Sequence, residues 1–539
     1  MTDLSTQFQE ELLKAKEIIS QQDHTITKQD HTITILEERV RLLLANRFAR
    51  SSETYVDPNI NQGSLFDEAE LAELNPDDMV ADDQKTIEVP AHKRTVNRGK
   101  RIALPDYLPR LRVDHELPAE ELVGPSGEIF EKIGEIITEQ LDIIPAEVQV
   151  IENVCFKYAV KGKEELGIKT AKIPKQPIPK SIATSGLLAH VATSKYCYHL
   201  PLYRQEQIWQ SLDVRLPRNT LSRWMISMGE QAQELVDYLM EEIKLDGYVH
   251  ADETPVVVLE KKPPDKNTKQ SIKIQNLIQT DKKHKGYMWL YTNSKGAVFD
   301  YQTTRGGEHP ARMLEEFTGY LQTDAYSGYD QFLSSKTIQL VGCFAHARRY
   351  FVDVRKAAGK KKKTPTVDYV CKLIGKLYKL EDLAKDEKMG TSEIYTLRQE
   401  KSLPILKKLY DYLIDIKPRV PPKSLLGKAV HYTLNHWTEL HRYTDSGILN
   451  IDNNPAERKI KPFVIGRKNW LFCGNIRGAK AAANLYSLIE SAKLFDLKIF
   501  DYLKYVFEHL PLADTPRKLE QLLPQYAQAH VPKMKKLNS

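Results

Sequence analysis

Between residues 246 and 345 the chain changes its hydrophobic period, and this change restricts the fold more than any other feature. Tyr248–Asp252, Tyr287–Tyr291 and Val298–Tyr301 are short β-branched and aromatic runs that read as strands of an antiparallel meander. Gly319–Thr323 and Ile338–Phe344 are two further strands, set off by the helical segments Ala311–Phe317 and Ser327–Leu333. Three consecutive strands, followed by strands that alternate with helices, predict one mixed α/β sheet. After Phe351 comes a lysine run, Lys360 to Lys363, and then a mainly helical stretch to His441. The α/β pattern is therefore interrupted before it is complete.

Composition limits the remaining classes. At about 150 residues per domain, a chain of 539 residues is a multidomain protein. Its 41% hydrophobic and 28% charged residues are ordinary for a globular chain. The formal charge, 78 − 72 = +6, is a weak bias, so any basic surface must be local. Cys155, Cys197, Cys343, Cys371 and Cys473 are few, odd in number and scattered, which argues against a disulfide framework and for a reducing compartment. No apolar run approaches the ~18–20 residues of a membrane span, and Met1 to Glu11 is polar. A cytoplasmic protein with no membrane partner is expected.

The first residues carry a heptad. Leu12, Ile19, Ile26, Ile33 and Val40 recur at seven-residue intervals, with Ala15, Gln22, Gln29, Leu36 and Leu43 three behind. This stripe predicts a coiled-coil helix over 1–52 that self-associates; a long helix packed on its own protein is the alternative. Residues 53–104 form a linker, acidic from Asp67 to Glu88 and basic from His92 to Arg101. Over 105–180 the reading is a small β-rich domain with strands at Ile143–Val154 and Phe156–Val160, ending in a Lys- and Pro-rich tether from Lys161 to Lys180. Residues 181–240 turn helical, with helices at Leu187–Thr193 and Leu202–Leu212. A third, capped by Asn219 or Thr220, runs through Trp224. Two short helices and a tight turn are similar to a helix-turn-helix, with Arg215, Arg218 and Arg223 where DNA contacts would fall; an ordinary helical subdomain fits the spacing too.

Three acidic residues stand out by context: Asp252 at the end of the first strand, Asp324 at the end of the fourth, and Glu457 opening a helix. Carboxylates at strand ends lie where α/β sheets bind ligands, and hard oxygen ligands suit Mg²⁺ or Mn²⁺. Each has a plainer role available. Asp252 and Asp324 suit turns, and Glu457 suits a capping box with Asn454 as the cap and Pro455 at the first helical position. Arg458, Lys459, Lys461, Arg467 and Lys468 crowd around Glu457 and would suit a polyanionic substrate. Trp470 and Phe472 suit either the core or base stacking.

Several long blocks carry a family resemblance. They are Arg47–Glu53, Leu200–Gln205, His250–Pro255, Leu321–Tyr326, Cys343–Arg349, Asp452–Arg458 and Gly466–Phe472. With these blocks in this order, the chain resembles the large transposases of the insertion sequence 66 family over nearly its whole length. The resemblance implies a DDE transposase with an RNase H-like catalytic core. Asp252, Asp324 and Glu457 fall on its acidic positions, where they would hold two Mg²⁺ (or Mn²⁺) ions. It implies binding to the terminal inverted repeats of an insertion sequence, then DNA strand cleavage and strand transfer on target DNA. The basic residues expected at DNA are Arg215, Arg218, Arg223, Arg348, Arg349, Arg458, Lys461, Arg467 and Lys468. The core would span 241–364 and 446–500, split by a helical insertion at 365–445 and followed by a C-terminal segment, 501–539. A homo-oligomer built on the coiled coil and accessory proteins of the same element are implied partners.

Two departures are visible. Family members often carry two Cys-x-x-Cys pairs; here Val123, Ser126, Val160 and Lys163 stand at the matching positions, so no zinc is expected and the small domain must rely on apolar residues such as Ile129, Phe130, Ile133 and Tyr158. Ala49 replaces a usual glycine. Cys343 and His346 form a Cys-x-x-His unit, read as a buried thiol and a carboxylate-orienting histidine in preference to a metal site. A catalytically dead DNA-binding scaffold and a nuclease without joining activity are the rival functions.

Overall fold

The computed structural model describes residues 21–22, 25, 28–30, 32–44, 148–158, 169–171, 175–259, 284–359 and 363–534. The chain divides into two units, Asp67–Ala171 and the remainder. In the first, β1 (Lys157–Tyr158) pairs antiparallel with β2 (Lys169–Thr170). Residues 148–156 form no ladder, so the strand expected at Ile143–Val154 is absent from its described part. An extended segment is held as a strand only where a partner satisfies its amides, and here that partner is the two-residue β2. Tyr158 is exposed, which removes it from the expected core of this region. Ile129, Phe130, Ile133 and the positions Val123, Ser126, Val160 and Lys163 lie outside the described residues.

In the second unit the described residues between 21 and 44 are helical. Ile33, Leu36, Val40 and Leu43 of the heptad are 53%, 52%, 53% and 68% exposed, whereas Ile35, Glu38 and Leu42 are half-buried. Glu38 Oε2 accepts a hydrogen bond from the Leu425 amide at 3.3 Å. The helix thus rests on its own unit by one face and leaves the heptad stripe open.

The helical stretch that follows comprises α1 (Ser185–Ala192), a π-turn at Thr193–Cys197, α2 (Leu202–Ser211), α3 (Arg218–Gln231) and α4 (Gln233–Leu245). Thr184 caps α1 by accepting from the Leu187 amide. The cap expected for α3 at Asn219 or Thr220 is corrected: both lie inside the helix, Pro217 precedes it, and the Arg218 amide goes to Glu206 Oε1 of α2 at 3.1 Å. Leu188, Val191, Leu221, Trp224, Met228 and Leu239 from these helices share one apolar core with the sheet residues Val249, Leu290 and Phe299.

The sheet contains β3 (Tyr248–Val258), β4 (His284–Thr292), β5 (Ala297–Gln302), β6 (Gly319–Gln322) and β7 (Ile338–Val341) in the order β5-β4-β3-β6-β7. β3, β4 and β5 form the expected antiparallel meander, β6 lies parallel to β3, and β7 lies parallel to β6. Helix α5 (Glu308–Met313) and a 3₁₀ turn at Ser327–Phe332 occupy the crossovers. The last strand stops at Val341, because Phe344 opens α6 (Phe344–Ala358).

The interruption is helical, as expected: α7 (Pro365–Asp386), α8 (Thr391–Leu397), α9 (Leu403–Ile416), α10 (Leu425–Asn435) and α11 (Trp437–His441). These pack around Leu377, Leu409, Leu413 and Val430, and that cluster continues into Val341, Phe344 and Phe351 of the sheet layer. The chain then returns as α12 (Asn454–Trp470), α13 (Ile476–Leu494), α14 (Ile499–His509), α15 (Pro516–Glu520) and α16 (Pro524–Ala527). Helix α13 is buried on nearly every side. Its Ser487 and Ser491 hydroxyls accept from the Phe299 and Ala297 amides at 2.8 and 2.9 Å, which satisfies the open edge of β5. Among the described residues no helix is long and apolar enough to cross a membrane.

Candidate active site

The site arises where β3 loses its parallel neighbour. β6 pairs with β3 only as far as His250, opposite Gln322, yet β3 runs on to Val258. This corrects the expectation that Asp252 ends its strand: Asp252 is an interior residue, paired with Leu290 of β4. Pro255 and the polar Asp252-Glu253-Thr254 break the apolar run, but β4 carries the ladder through them. At the far end Cys473 rejoins β3, its amide donating to the Val257 carbonyl and its carbonyl accepting from the Leu259 amide. Between His250 and Val257 one edge of β3 is thus open, and α12 covers it.

Two side chains tie α12 to that edge. Asn453, just before the helix, donates from Nδ2 to the Ala251 carbonyl at 2.8 Å. Arg467, near its other end, donates to the Pro255 carbonyl and to Thr254 Oγ1. Each satisfies a polar group of β3, and Glu457 lies between them. The capping box expected at Asn454 is corrected. The cap position is Asn453, whose side chain makes no bond to the helix because His250 and Ala251 occupy it. Asn454 leans back on Asp452 instead. Glu457 therefore falls one residue deeper than the capping position, and its carboxylate is not consumed by the helix end.

These joints bring the three acidic residues together. Asp252 and Asp324 each lie two residues beyond the last parallel pair, His250 with Gln322, and Asp324 and Glu457 are near enough to act on the Asp252 charge. All three residues are half-buried. Burial pushes the Asp252 carboxyl well above its ordinary range, and the Glu253, Asp324 and Glu457 carboxylates push it further. Asp252 Oδ1 accepts a local bond from the Glu253 amide at 2.8 Å. Asp324 makes the Asx turn foreseen for it, Oδ1 accepting from the Tyr326 amide at 3.0 Å. Glu457 Oε1 is buried and has no hydrogen-bond partner among the described residues. An orphaned carboxylate oxygen within electrostatic reach of two aspartates offers hard oxygen donors of the kind a divalent cation takes, and such a charge would relieve the mutual repulsion.

A histidine and a thiol lie beside Glu457. His346 Nδ1 lies 3.7 Å from Glu457 Oε1 and 3.2 Å from Cys343 Sγ. The three ligand atoms fall within 4.8 Å of one another. Burial pushes the Cys343 thiol far up, and Sγ already accepts from the Asn453 amide at 3.2 Å. A protonated, engaged thiol favours the reading in which His346 orients the carboxylate. Burial, with Arg349 beside it, pulls His346 down, against the opposing pull of Glu457 and Asp324.

Residues 180–481 match the family described as Transposase IS66 family. The chain belongs to the IS66 transposase family. Residues 35–113 match the family described as Transposase C of IS166 homeodomain, and residues 487–525 match the IS66 C-terminal element. The uncharacterized protein y4jD of Sinorhizobium fredii is 32% identical over 505 residues, which cover 91% of this chain and 94% of the relative. The uncharacterized protein y4qI of the same organism is 31% identical over 408 residues, 73% of this chain and 71% of the relative.

In this IS66 transposase the basic residues expected at DNA separate into groups. Arg215, Arg218 and Arg223 are exposed around the α2–α3 turn. Arg348 and Arg349 lie on α6 close to His346, the second exposed and the first half-buried. By helical spacing Lys461 and Lys468 share the stripe of Glu457. Arg458 lines a cavity of about 550 Å³ with Asp246, His250 and Asn450, beside the start of β3. Arg467 turns its guanidinium toward β3, where it donates to Thr254 Oγ1 and the Pro255 carbonyl. Trp470 is partly buried and packs edge-on against Phe463, whereas Phe472 is 43% exposed.

Sequence reasoning missed Glu253 and Arg305. Glu253 is buried; Arg305 donates to its Oε1 and Tyr329 to its Oε2 at 3.1 Å. Burial and Asp324 raise Glu253 to about 7, against the opposing pull of Arg305. Arg305 also lies over the Tyr326 ring at 3.6 Å. The adjacent Asp252-Glu253 pair was the available signal, but nothing in the sequence joined it to an arginine 52 residues away.

Proposed function

We propose that this IS66 transposase binds the terminal inverted repeats of its insertion sequence and catalyses divalent-metal-dependent DNA strand cleavage and strand transfer at Asp252, Asp324 and Glu457. The observation that carries this reading is that three carboxylates lie within electrostatic reach of one another beside the open edge of β3, one of them with a buried oxygen that accepts no hydrogen bond among the described residues. These residues would hold two Mg²⁺ or Mn²⁺ ions, which when bound activate an attacking oxygen and stabilise the leaving one. The chain's own contribution is to fix the carboxylates: Asn453 and Arg467 set α12 against β3, and His346 orients Glu457. Lys461 and Lys468, on the stripe of Glu457, would draw the DNA backbone over the site. The strand order, with β4 antiparallel between β3 and β5 and two parallel strands beyond β3, supports an RNase H-like core split by the helical insertion at 365–445.

End recognition falls to the α2–α3 turn. The C-terminal half of α3 packs against α13, where the Gly229 carbonyl accepts from Asn484, and this leaves the first turns with Arg218 and Arg223 open. That half is the one a helix-turn-helix would direct into a major groove. The exposed heptad stripe Ile33, Leu36, Val40 and Leu43 supports self-association through a coiled coil, so that both ends are cut in one assembly. We read the chain as a bacterial cytoplasmic protein that needs no zinc and works with accessory proteins of the same element. The test is strand cleavage and joining on an oligonucleotide carrying the terminal repeat, with Mg²⁺. Asp324→Asn should lose both reactions; full cleavage by that variant refutes the site, and cleavage without joining by the unaltered protein favours a nuclease.

A further inference from the structure

The helical insertion reaches the acidic site directly. Tyr432 of α10 donates from its hydroxyl to the Asp324 carbonyl at 3.0 Å, across 108 residues of chain. The loop it meets is constrained, since Ala325 has φ +64°, a left-handed conformation that a residue with a Cβ rarely adopts. The same loop carries the Asx turn through Asp324 Oδ1 and Tyr326, so backbone and carboxylate orientation are coupled there. Tyr432 is itself fixed: its ring packs on Tyr350 of α6 with centroids 4.5 Å apart, and on His436 at 4.9 Å.

Two further ties run from the insertion to the Glu457 arm. Tyr378 of α7 donates to Asp452 Oδ2 at 2.9 Å, and Asp452 holds the first turn of α12 through Asn454. Arg398, almost wholly buried, pairs with Glu381 and donates to the carbonyls of Tyr443, Ser446 and Leu449 at 2.8, 2.6 and 2.9 Å. That clamp fixes the segment leading into Asn450 and Asn453. The insertion therefore grips both arms of the site, the Asp324 loop and the approach to α12.

We propose that the insertion is a positioning element for the acidic site, and that Tyr432 is a positioning residue that sets the Asp324 carboxylate for divalent-cation binding. This rests on the proposed site at Asp252, Asp324 and Glu457. The test uses the full chain and Mn²⁺ alone, with free ion counted by electron paramagnetic resonance and unfolding of the metal-free protein followed in parallel. Tyr432→Phe keeps the ring and removes only the donor; Tyr410→Phe, on α9 against Trp437, is the control for altering the insertion. Loss of one neutral hydrogen bond that orders a ligand should weaken Mn²⁺ binding about fivefold. The metal-free unfolding midpoint should match that of the control. Unchanged Mn²⁺ affinity in Tyr432→Phe, with Asp324→Asn clearly impaired, overturns the positioning role alone. Unchanged affinity in Asp324→Asn overturns the underlying site. A Tyr432→Phe loss matched by Tyr410→Phe assigns the effect to the insertion's stability and also overturns the role of Tyr432.

Discussion

Asn453→Ala tests how the two distant acidic segments are joined. Asn453 is fully buried at the junction of β3 and α12. Its Oδ1 accepts from His250 Nδ1 at 2.9 Å, and its Nδ2 donates to the Ala251 carbonyl at 2.8 Å. The opposite ring nitrogen of His250 is already occupied by Asn450 Nδ2 at 3.0 Å, so this histidine has one tautomer open to it, with the proton on Nδ1. Truncation to alanine leaves the His250 N–H and the Ala251 carbonyl buried without partners. At about 1–3 kcal/mol for each orphaned group, the loss is about 2–6 kcal/mol. Urea unfolding read by tryptophan fluorescence measures it, because Trp209, Trp224, Trp289, Trp437 and Trp470 all belong to this unit. A double-mutant cycle with His250→Phe should show about 1–3 kcal/mol of coupling, as expected for residues in one network. A loss below about 1 kcal/mol, or additivity of the two changes, would refute the claim that this contact fastens the Glu457 helix to the Asp252 strand.

Other consequences follow from the same packing. Gly229→Ala places a Cβ 2.5 Å from Ala481 Cα where α3 crosses α13, and the overpacking should cost about 1–3 kcal/mol in urea unfolding; an unchanged midpoint contradicts the close crossing. Ile33→Glu together with Val40→Glu should shift the full chain toward monomer in sedimentation without lowering the unfolding midpoint, since both side chains face solvent in the single chain. Burial raises Asp300 above its ordinary value, against opposing contacts from Gln302 and Arg312. Its stabilising share is therefore present below the ordinary carboxylate range and is lost as pH rises through the raised value, so Asp300→Asn should flatten the decline in melting temperature on that alkaline side. An unaltered pH profile would remove Asp300 from that decline.

The sheet was legible because periodicity in short apolar runs is a local property, and all five strands form where the pattern put them. The length of β3 was not legible. Its polar middle breaks the pattern, and pairing with β4 and with Cys473 restores it only in three dimensions. The acidic trio could be named from its motifs, but the reason it converges was out of reach, because each tie joins residues far apart in sequence: Asn453 to Ala251, Arg467 to Pro255, Tyr432 to Asp324. Arg467 shows the physical limit most clearly. A cation in a basic cluster reads as a phosphate contact until the unsatisfied carbonyl it serves is seen. The Asn453–Asn454 shift has the same origin, since a capping side chain was claimed by a histidine 203 residues away.

The central claim is that Asp252, Asp324 and Glu457 act as one unit. Its most direct test is the Mg²⁺-dependent cleavage rate on a terminal-repeat oligonucleotide for Asp252→Asn, Asp324→Asn, Glu457→Gln and the triple variant. Groups that act together lose their effect together, so each single change should lower the rate by at least about 10³-fold and the triple variant should be no slower than the singles. Losses that multiply from one variant to the next, or a single variant that cleaves at the unaltered rate, would contradict it.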